Sequence, residues 1–181
     1  MTELVTLPPP PEAIAAMAAI PGLAIEPSVL VRQQGPEGHR GPEDAGAVLL
    51  LQATFTDAER AARFWAAAVP LMALLADAPG FIRRYSFPDG PSITLLAFWR
   101  TLADARAFAA SPAHRAVVRD LYAERWQYSH FSALWELASS HGRQVFCAGC
   151  DAVTPAADGV CRGCGAALLD PHAAGAVPSG R

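Results

Sequence analysis

The stretch LLAFWRTLADARAFAASPAHR, residues 95–115, passes from a strand into helices and decides how the rest of the chain must be arranged. The apolar residues at its beginning continue a run that starts at Ile93, and this run predicts a strand over 93–100. Thr101 is a suitable N-cap for a short helix. Ser111, which is followed by proline, is a suitable N-cap for a second helix that we expect to reach about Glu124.

Strand patterns lie on both sides of this stretch. The segment FIRRYSF, 81–87, alternates as a strand and is joined by an Asp-Gly turn to the next strand, which predicts a β-hairpin. Upstream, AVLLLQATF, 47–55, predicts another strand, and Thr56 with Glu59 has capping-box spacing for the helix that follows. Downstream, QYSHFSALWEL, 127–137, alternates as a strand. The predicted order is therefore β-α-β-β-α-β.

This order is typical of the ferredoxin-like α+β fold, in which four antiparallel strands carry both helices on one face. The first strand is nevertheless apolar on both faces, because Leu49, Leu51 and Phe55 alternate with Val48 and Leu50. The helices can cover only one of these faces. We therefore expect a homodimer in which a second copy of the chain covers the other face.

The composition of the chain limits its partners. It has 181 residues, of which 52 % are hydrophobic and 17 % charged, and a net charge of -3. Without a basic patch, a nucleic acid is not an expected partner. No apolar run is long enough to span a bilayer, and the N-terminus lacks the pattern of a signal peptide, so we expect no membrane partner and a cytoplasmic location.

Changes in composition divide the chain into four predicted parts. Residues 1–44 are rich in Pro and Gly and are expected to form an arm or linker. Residues 45–138 carry the periodic patterns and are expected to form the α+β domain. Residues 143–169 hold the cysteines, and 170–181 are expected to be a flexible tail.

The four cysteines form two C-x-x-C pairs with the spacing of a tetrahedral zinc site. They are Cys147, Cys150, Cys161 and Cys164. Four thiolates leave no open position on the metal, so the zinc is expected to be structural. Redox chemistry of the C-x-x-C pairs and an iron site of rubredoxin type are the alternatives.

The cysteine segment resembles a C-terminal zinc ribbon, most clearly in CRGCGAALL, residues 161–169. At the end of the first pair, Asp151 stands where Gly is commoner in such ribbons. A ribbon of this size could also act as a lid over the α+β domain, as a contact between subunits, or as a docking surface for another protein.

The α+β domain resembles the antibiotic-biosynthesis-monooxygenase group of dimeric α+β barrels. The resemblance is carried by APGF before the second strand, by residues 95–115 and by FSALWEL in the last strand. It implies a pocket between the sheet and its helices. The group includes cofactor-free oxygenases of aromatic compounds and haem-degrading enzymes, so the resemblance implies a fold and not one reaction.

The haem-degrading branch has a Trp nine residues after the Trp at the strand end and a His ten residues beyond it. Counted from Trp99, these positions hold Phe108 and Val118, which depart from that pattern. His114 lies one helical turn before Val118 and is the residue that could bind haem from a shifted position.

Polar residues on apolar strands are the candidates for chemistry in such a pocket. His130 is the candidate general base, because imidazole titrates near neutral pH. Tyr128, Gln52 and Arg83 are the candidate donors to an oxyanion. The alternation places Arg84 on the face opposite Arg83. Each of these residues also has a simpler interpretation, as part of a solvated face or as a packing residue.

Three functions remain open at this point. The first is a monooxygenase-like oxidoreductase that acts on a small apolar or aromatic metabolite without a cofactor. The second is a haem protein that uses His114 or His130. The third is a module that binds a ligand or a protein and has no activity.

Overall fold

A computed structural model describes residues 31–89 and 92–168. Residues 1–30 of the predicted arm, residue 169 at the end of the predicted cysteine segment, the predicted tail 170–181 and the hairpin turn at 90–91 lie outside the described residues. Seven strands and three α-helices follow in chain order. They are β1 Val31–Gln34, β2 Ala47–Thr54, α1 Ala58–Leu75, β3 Phe81–Asp89, β4 Ser92–Trp99, α2 Leu102–Ala109, α3 Pro112–Glu124, β5 Ser129–Glu136, β6 Gln144–Phe146 and β7 Val153–Pro155.

The first five strands form one sheet in the order β1-β3-β4-β2-β5, and every neighbouring pair is antiparallel. Without β1, this is the strand order of a ferredoxin-like fold. The prediction of that fold class is confirmed, as is the hairpin of β3 and β4. The sequence did not predict β1, which lies within the expected arm and adds a fifth strand to the edge of the sheet.

Side chains at the N-termini explain where the helices begin. Thr101 accepts a hydrogen bond from Asp104 N at 3.1 Å, and Ser111 accepts one from His114 N at 3.3 Å, which confirms both predicted caps. The first helix differs from the prediction. Its N-cap is Asp57, one residue after Thr56, because the Asp57 carboxylate accepts from Arg60 N at 2.8 Å.

The helices cover one face of the sheet, and the core lies between them. Phe81 at the start of β3 is fully buried, and its ring lies 5.1 Å from that of Trp99 at the end of β4. Phe108 of α2 completes the stack at 5.4 Å from Trp99. This aromatic stack closes one end of the layer between sheet and helices.

The opposite face of the sheet carries large apolar side chains without a helix over it in the described part of the chain. Phe131 and Trp135 of β5 are 50 % and 52 % exposed. Phe98 and Leu96 of β4 are partly buried on the same face. We call this surface, formed by the outward residues of β2, β4 and β5, the open face.

The cysteine segment forms a separate two-stranded sheet of β6 and β7. Thr154 of β7 is fully buried there and accepts a hydrogen bond from Arg162 N at 3.1 Å. The segment is joined to the first domain by an ion pair in which Arg143 donates to both carboxylate oxygens of Glu43, at 2.7 and 3.2 Å. No described helix is long and apolar enough to cross a membrane.

Candidate functional site: a cavity between sheet and helices, and a four-cysteine centre

A cavity of about 550 Å³ lies between the sheet and the helices. This volume is in the range of sites for small organic molecules. Its wall is mostly apolar and aromatic, with a few polar side chains. The polar members are Arg84, His114, Tyr122, Gln127, His130 and Ser132. Among the described residues that line it, none is Asp or Glu.

His130 on β5 is the one predicted catalytic residue whose side chain lines the cavity. Its Nδ1 lies 3.0 Å from Oε1 of Gln127. Because an amide oxygen can only accept, Nδ1 carries the proton and Nε2 is left as an acceptor. Burial lowers the pKa of His130 below its ordinary value, so the ring is neutral at pH 7.

His114, the predicted candidate for haem, lines the same cavity from the first turn of α3. Its ring contacts Phe108 edge to face, at 5.6 Å between centroids. Burial lowers its pKa, although a hydrogen bond with the backbone of Ala109 opposes the shift. His114 is therefore a second neutral imidazole in an apolar wall.

Arg84 on β3 is a cavity residue that the sequence did not assign to the site. It is 5 % exposed, and its Nη2 donates to Ser86 Oγ at 3.0 Å. Its Nε has no hydrogen-bond partner. Burial lowers the pKa of Arg84 to about 10, so the guanidinium still carries its charge at pH 7.

The three predicted donors do not line the cavity. Tyr128 precedes β5 and is 77 % exposed. Gln52 of β2 belongs to the open face, where its Nε2 donates to Thr94 Oγ1 at 3.1 Å. Arg83 is buried, but it donates to the carbonyl oxygens of Gly38 and Arg40 at 2.8 and 2.7 Å and holds that segment against the sheet.

A β-bulge explains why Arg84 and not Arg83 enters the cavity. Phe81 pairs with Trp99, but the next residue in register with β4 is Arg83, which pairs with Phe98. The extra residue changes which face the following side chains occupy. Arg83 therefore lies on the face opposite Phe81, which corrects the predicted alternation. Two adjacent arginines in an apolar strand were the available signal, since one of them must face the helices.

Arg84 and His130 lie far apart across the sheet. Arg84 is in register with Ala97, which is in register with Leu49 of β2, whereas His130 is in register with Ala53. Leu49 and Ala53 are four residues apart along β2. Strands β3 and β5 are three strand positions apart in the sheet. Standard sheet spacings place the two Cα atoms about 20 Å from each other.

Helix α3 follows the same long direction of the cavity. His114 at its start is near the aromatic stack, and Tyr122 near its end lies 6.3 Å from the His130 ring. Eight residues of helix separate these two side chains by about 12 Å. Tyr122 is exposed and His130 half-buried, whereas Arg84 is buried. The cavity is thus elongated, with its more open end at His130.

The four cysteines form the second candidate site. Their Sγ atoms all lie within 4.8 Å of one another, with Cys147 and Cys164 at 3.6 Å and Cys150 and Cys161 at 3.5 Å. A tetrahedral ion with metal-sulfur bonds of about 2.3 Å requires sulfur separations of about 3.8 Å. The donor set therefore fits a metal ion.

Backbone N–H groups donate to two of these four sulfur atoms. Gly149 N donates to Cys147 Sγ at 3.4 Å, and Gly163 N donates to Cys161 Sγ at 3.3 Å. Backbone N–H groups, that of Cys164 first among them, lower the pKa of Cys161 to about 6.

The two C-x-x-C turns share one backbone geometry. Asp151 N donates to Cys147 O at 2.8 Å, and Gly165 N donates to Cys161 O at 2.9 Å. Both residues have positive φ, 57° for Asp151 and 74° for Gly165. This conformation explains why Gly is favoured after each pair, and it places the strain at Asp151.

No family model matches the chain, and no curated protein does. Solved structures that match include SnoaB, a cofactor-independent oxygenase from Streptomyces nogalater, at 19 % identity and a TM-score of 0.43, over 54 % of this chain and 97 % of that one. LmHde, a heme-degrading enzyme from Listeria monocytogenes, matches at 12 % identity and a TM-score of 0.44, over 60 % of this chain and 68 % of that one.

A ferredoxin fold protein from Listeria monocytogenes that is related to antibiotic biosynthesis monooxygenases also matches, at 11 % identity and a TM-score of 0.46, over 61 % of this chain and 63 % of that one. These proteins are what part of this chain is similar to, and the ferredoxin-like fold itself rests on the strand order of the sheet. The function has to be argued from the cavity itself.

Proposed function

We propose that the chain is a cofactor-free monooxygenase that acts on an electron-rich aromatic metabolite in the cavity between sheet and helices. One observation carries the proposal. His130 is neutral, its Nδ1 proton is held by Gln127, and its Nε2 is free to accept a proton in an apolar cavity. A base of this kind suits the removal of a proton from the weakly acidic methylene group of a phenolic ring system.

The reaction is balanced without a reductant. His130 accepts a proton from a methylene group next to a phenolic ring system, which leaves a carbanion in its enolate form. The carbanion gives its electrons to dioxygen, and a carbon–oxygen bond forms to produce a peroxide anion. This anion takes the proton back from His130, and loss of water from the hydroperoxide leaves a carbonyl group. One oxygen atom enters the substrate and the other becomes water.

Oxygen uptake tests this role. Dithranol is a three-ring phenol whose acidic methylene group reacts slowly with dioxygen, and the protein should accelerate that uptake. His130→Ala should lower the enzymatic rate roughly 100-fold or more, the contribution of a positioned base. His141→Ala, at an exposed residue outside the cavity, is the matched control. Equal rates in wild type and His130→Ala would remove the proposal.

We also propose that a second copy of the chain covers the open face. Phe131 and Trp135 are half exposed there, next to partly buried apolar residues of β2 and β4. Large exposed apolar side chains on one face of a sheet are unfavourable in water and are commonly buried against a partner. One face of a sheet can pack against the same face of a second copy about a twofold axis. The simplest partner for the open face is therefore another copy of the chain.

For the cysteine centre we propose structural zinc. Zinc supplies no chemistry here beyond holding the two turns together, since four thiolates complete its coordination. The sulfur separations and the N–H donors of Gly149 and Gly163 support this assignment. Reduced metal-binding cysteines also fit the cytoplasmic location proposed for the chain.

Haem binding is the second candidate function. It is favoured by the presence of both His114 and His130 in one aromatic cavity. Titration with haemin distinguishes the two functions. A saturable Soret band that is lost in His114→Ala or His130→Ala would support haem binding, and the absence of a specific band would exclude it.

A further inference from the structure

Arg84 is a buried charge that nothing in the described protein balances. Only 5 % of the surface of this residue is exposed to solvent. Its one hydrogen bond partner, Ser86, is a neutral hydroxyl. No carboxylate of the described chain pairs with it, and the described wall of the cavity contains no acidic residue.

A charge in this position carries a large desolvation penalty, and proteins normally offset it with a counterion and a full set of hydrogen bonds. Arg84 has neither, because its Nε also lacks an acceptor. Gln33, its neighbour in register on β1, has a buried oxygen without a partner, but a neutral amide cannot balance a charge. Groups left unsatisfied in a cavity mark places where a ligand completes the set.

We propose that Arg84 binds the carboxylate of an elongated aromatic acid, at the buried end of the cavity and away from His130. The fork of N–H donors on a guanidinium matches the two oxygens of a carboxylate. This inference deepens the proposed function by naming the substrate class. It rests on that function only for the statement that the ligand is also the substrate.

The shape and lining of the cavity indicate the rest of the ligand. Arg84 and His130 are about 20 Å apart at their Cα atoms, and both side chains reach inward, so the ligand extends along the cavity between them. The wall of the cavity presents aromatic rings, including those of Trp65, Trp99 and Trp126. Flat fused rings suit such a space.

Trp99 supplies a second unsatisfied donor beside the first. Its Nε1 is buried and has no partner, and its side chain lines the same cavity. Trp99 lies two residues from Ala97, the partner of Arg84 in register. Two hydrogen-bond donors at one end of the cavity thus lack acceptors. A ligand group that only accepts hydrogen bonds would satisfy both, and an ionised carboxylate is such a group.

A matched pair of fluorescent probes tests the charge requirement. Anilinonaphthalene sulfonate carries an anionic group on an aromatic ring system, and phenylnaphthylamine is the same ring system without it. Each is titrated into the full chain, with energy transfer from tryptophan as the signal, because three of the four tryptophans line the cavity.

Arg84→Met should raise the Kd of the sulfonate roughly ten-fold or more, the usual effect of losing a hydrogen bond to a charged group. The Kd of the neutral probe should change less than two-fold. Arg84→Lys should keep part of the affinity for the anion, and Arg119→Met, on the exposed side of α3, should leave both probes unchanged. Equal changes for both probes, or none, would overturn the proposal.

The melting temperature of the ligand-free protein gives an independent result. If only a bound anion balances the charge of Arg84, Arg84→Met removes an unpaired buried charge from the ligand-free protein. The variant should then melt at or above the melting temperature of wild type. A large drop, or a variant that does not fold, would show that the protein itself balances the charge and would contradict the proposal. Neither measurement needs turnover, so a failure of the oxygen-uptake test would leave this inference standing.

Discussion

Arg84 and His130 line one cavity from strands that are three positions apart in the sheet, with a permanent charge at the buried end and a neutral imidazole at the more open end. This arrangement separates two tasks. A charged group can hold a ligand without perturbing the imidazole, because about 20 Å lies between their Cα atoms. Binding and proton transfer can therefore be changed independently by substitution.

The stability of the protein should fall as the pH is lowered from 7 to 5. Burial lowers the pKa values of His114 and His130 below the ordinary value of 6.5, so the unfolded chain binds protons that the folded chain does not. The contribution of these two neutral histidines to the free energy of unfolding is fully present above pH 6.5. It is lost as the pH falls from there through their lowered pKa values in the folded protein. Urea denaturation at each pH measures it.

The cysteine centre also responds to pH, so the informative quantity is the difference between variants. His114→Leu and His130→Leu should each reduce the loss of stability between pH 7 and 5 relative to wild type. The exposed His141→Leu should not change it. A loss of the same size in all four proteins would show that neither cavity histidine titrates on unfolding.

Removal of the metal should unfold the cysteine segment and leave the larger domain intact. Strands β6 and β7 pair with each other and not with the five-stranded sheet, and a ribbon of this size depends on its metal for folding. The native protein should contain one zinc ion per chain by mass spectrometry. After chelation, amide exchange should become fast in 143–168 and stay slow in β2 and β4. Fast exchange throughout would contradict the division into two units.

Asp151→Gly and Gly165→Ala should have opposite effects on the stability of the metal-bound cysteine segment. Asp151 and Gly165 both have positive φ. Asp151→Gly should stabilise the metal-bound segment by about 1 kcal/mol, because it relieves a left-handed conformation, and Gly165→Ala should destabilise it by a similar amount. Nothing lies within 4 Å of a Cβ atom added at Gly165, so the effect there is one of backbone conformation. Competition with a zinc chelator measures both; changes of the same sign would refute this explanation.

A charge on the open face should separate the proposed dimer. Trp135 is half exposed in the single chain, so Trp135→Glu should disturb the fold of the chain little while placing a carboxylate in the apolar contact. Light scattering should give the mass of two chains for wild type and of one chain, 19.1 kDa, for the variant. Val153→Glu, at a similarly exposed residue of β7, is the control. A monomeric wild type would exclude the dimer.

Features that depend on nearby residues could be predicted from the sequence. The caps Thr101 and Ser111 are local, because each accepts a hydrogen bond from a backbone group three residues away. The cysteine cluster is local in the same sense, since each turn closes within four residues. The strand order followed from the type and order of the elements, which for this pattern leaves few alternatives.

Features that depend on register could not be predicted in this way. The bulge between Phe81 and Arg83 changes the face of every later residue of β3, and alternation alone does not reveal it. Arg83 was therefore assigned to the cavity in place of Arg84. Tyr128 was counted as part of the last strand, but β5 begins one residue later and leaves it in solvent.

Strand β1 could not be predicted for a different reason. Residues 31–34 are polar apart from the first and are followed by a segment rich in Gly and Pro, so neither periodicity nor composition indicates a strand. The strand exists because the edge of β3 offers unpaired backbone groups to it. A long-range contact of this kind leaves little trace in local sequence.

The most direct test of the account is steady-state oxygen uptake with rhein anthrone, which has the ring system of dithranol and a carboxylate on an outer ring. His130→Gln should lower kcat with little change in KM, and Arg84→Met should raise KM roughly ten-fold with little change in kcat. With dithranol, Arg84→Met should behave as wild type. If neither substitution changes uptake of either compound, the cavity is not the site of the reaction and the account is wrong.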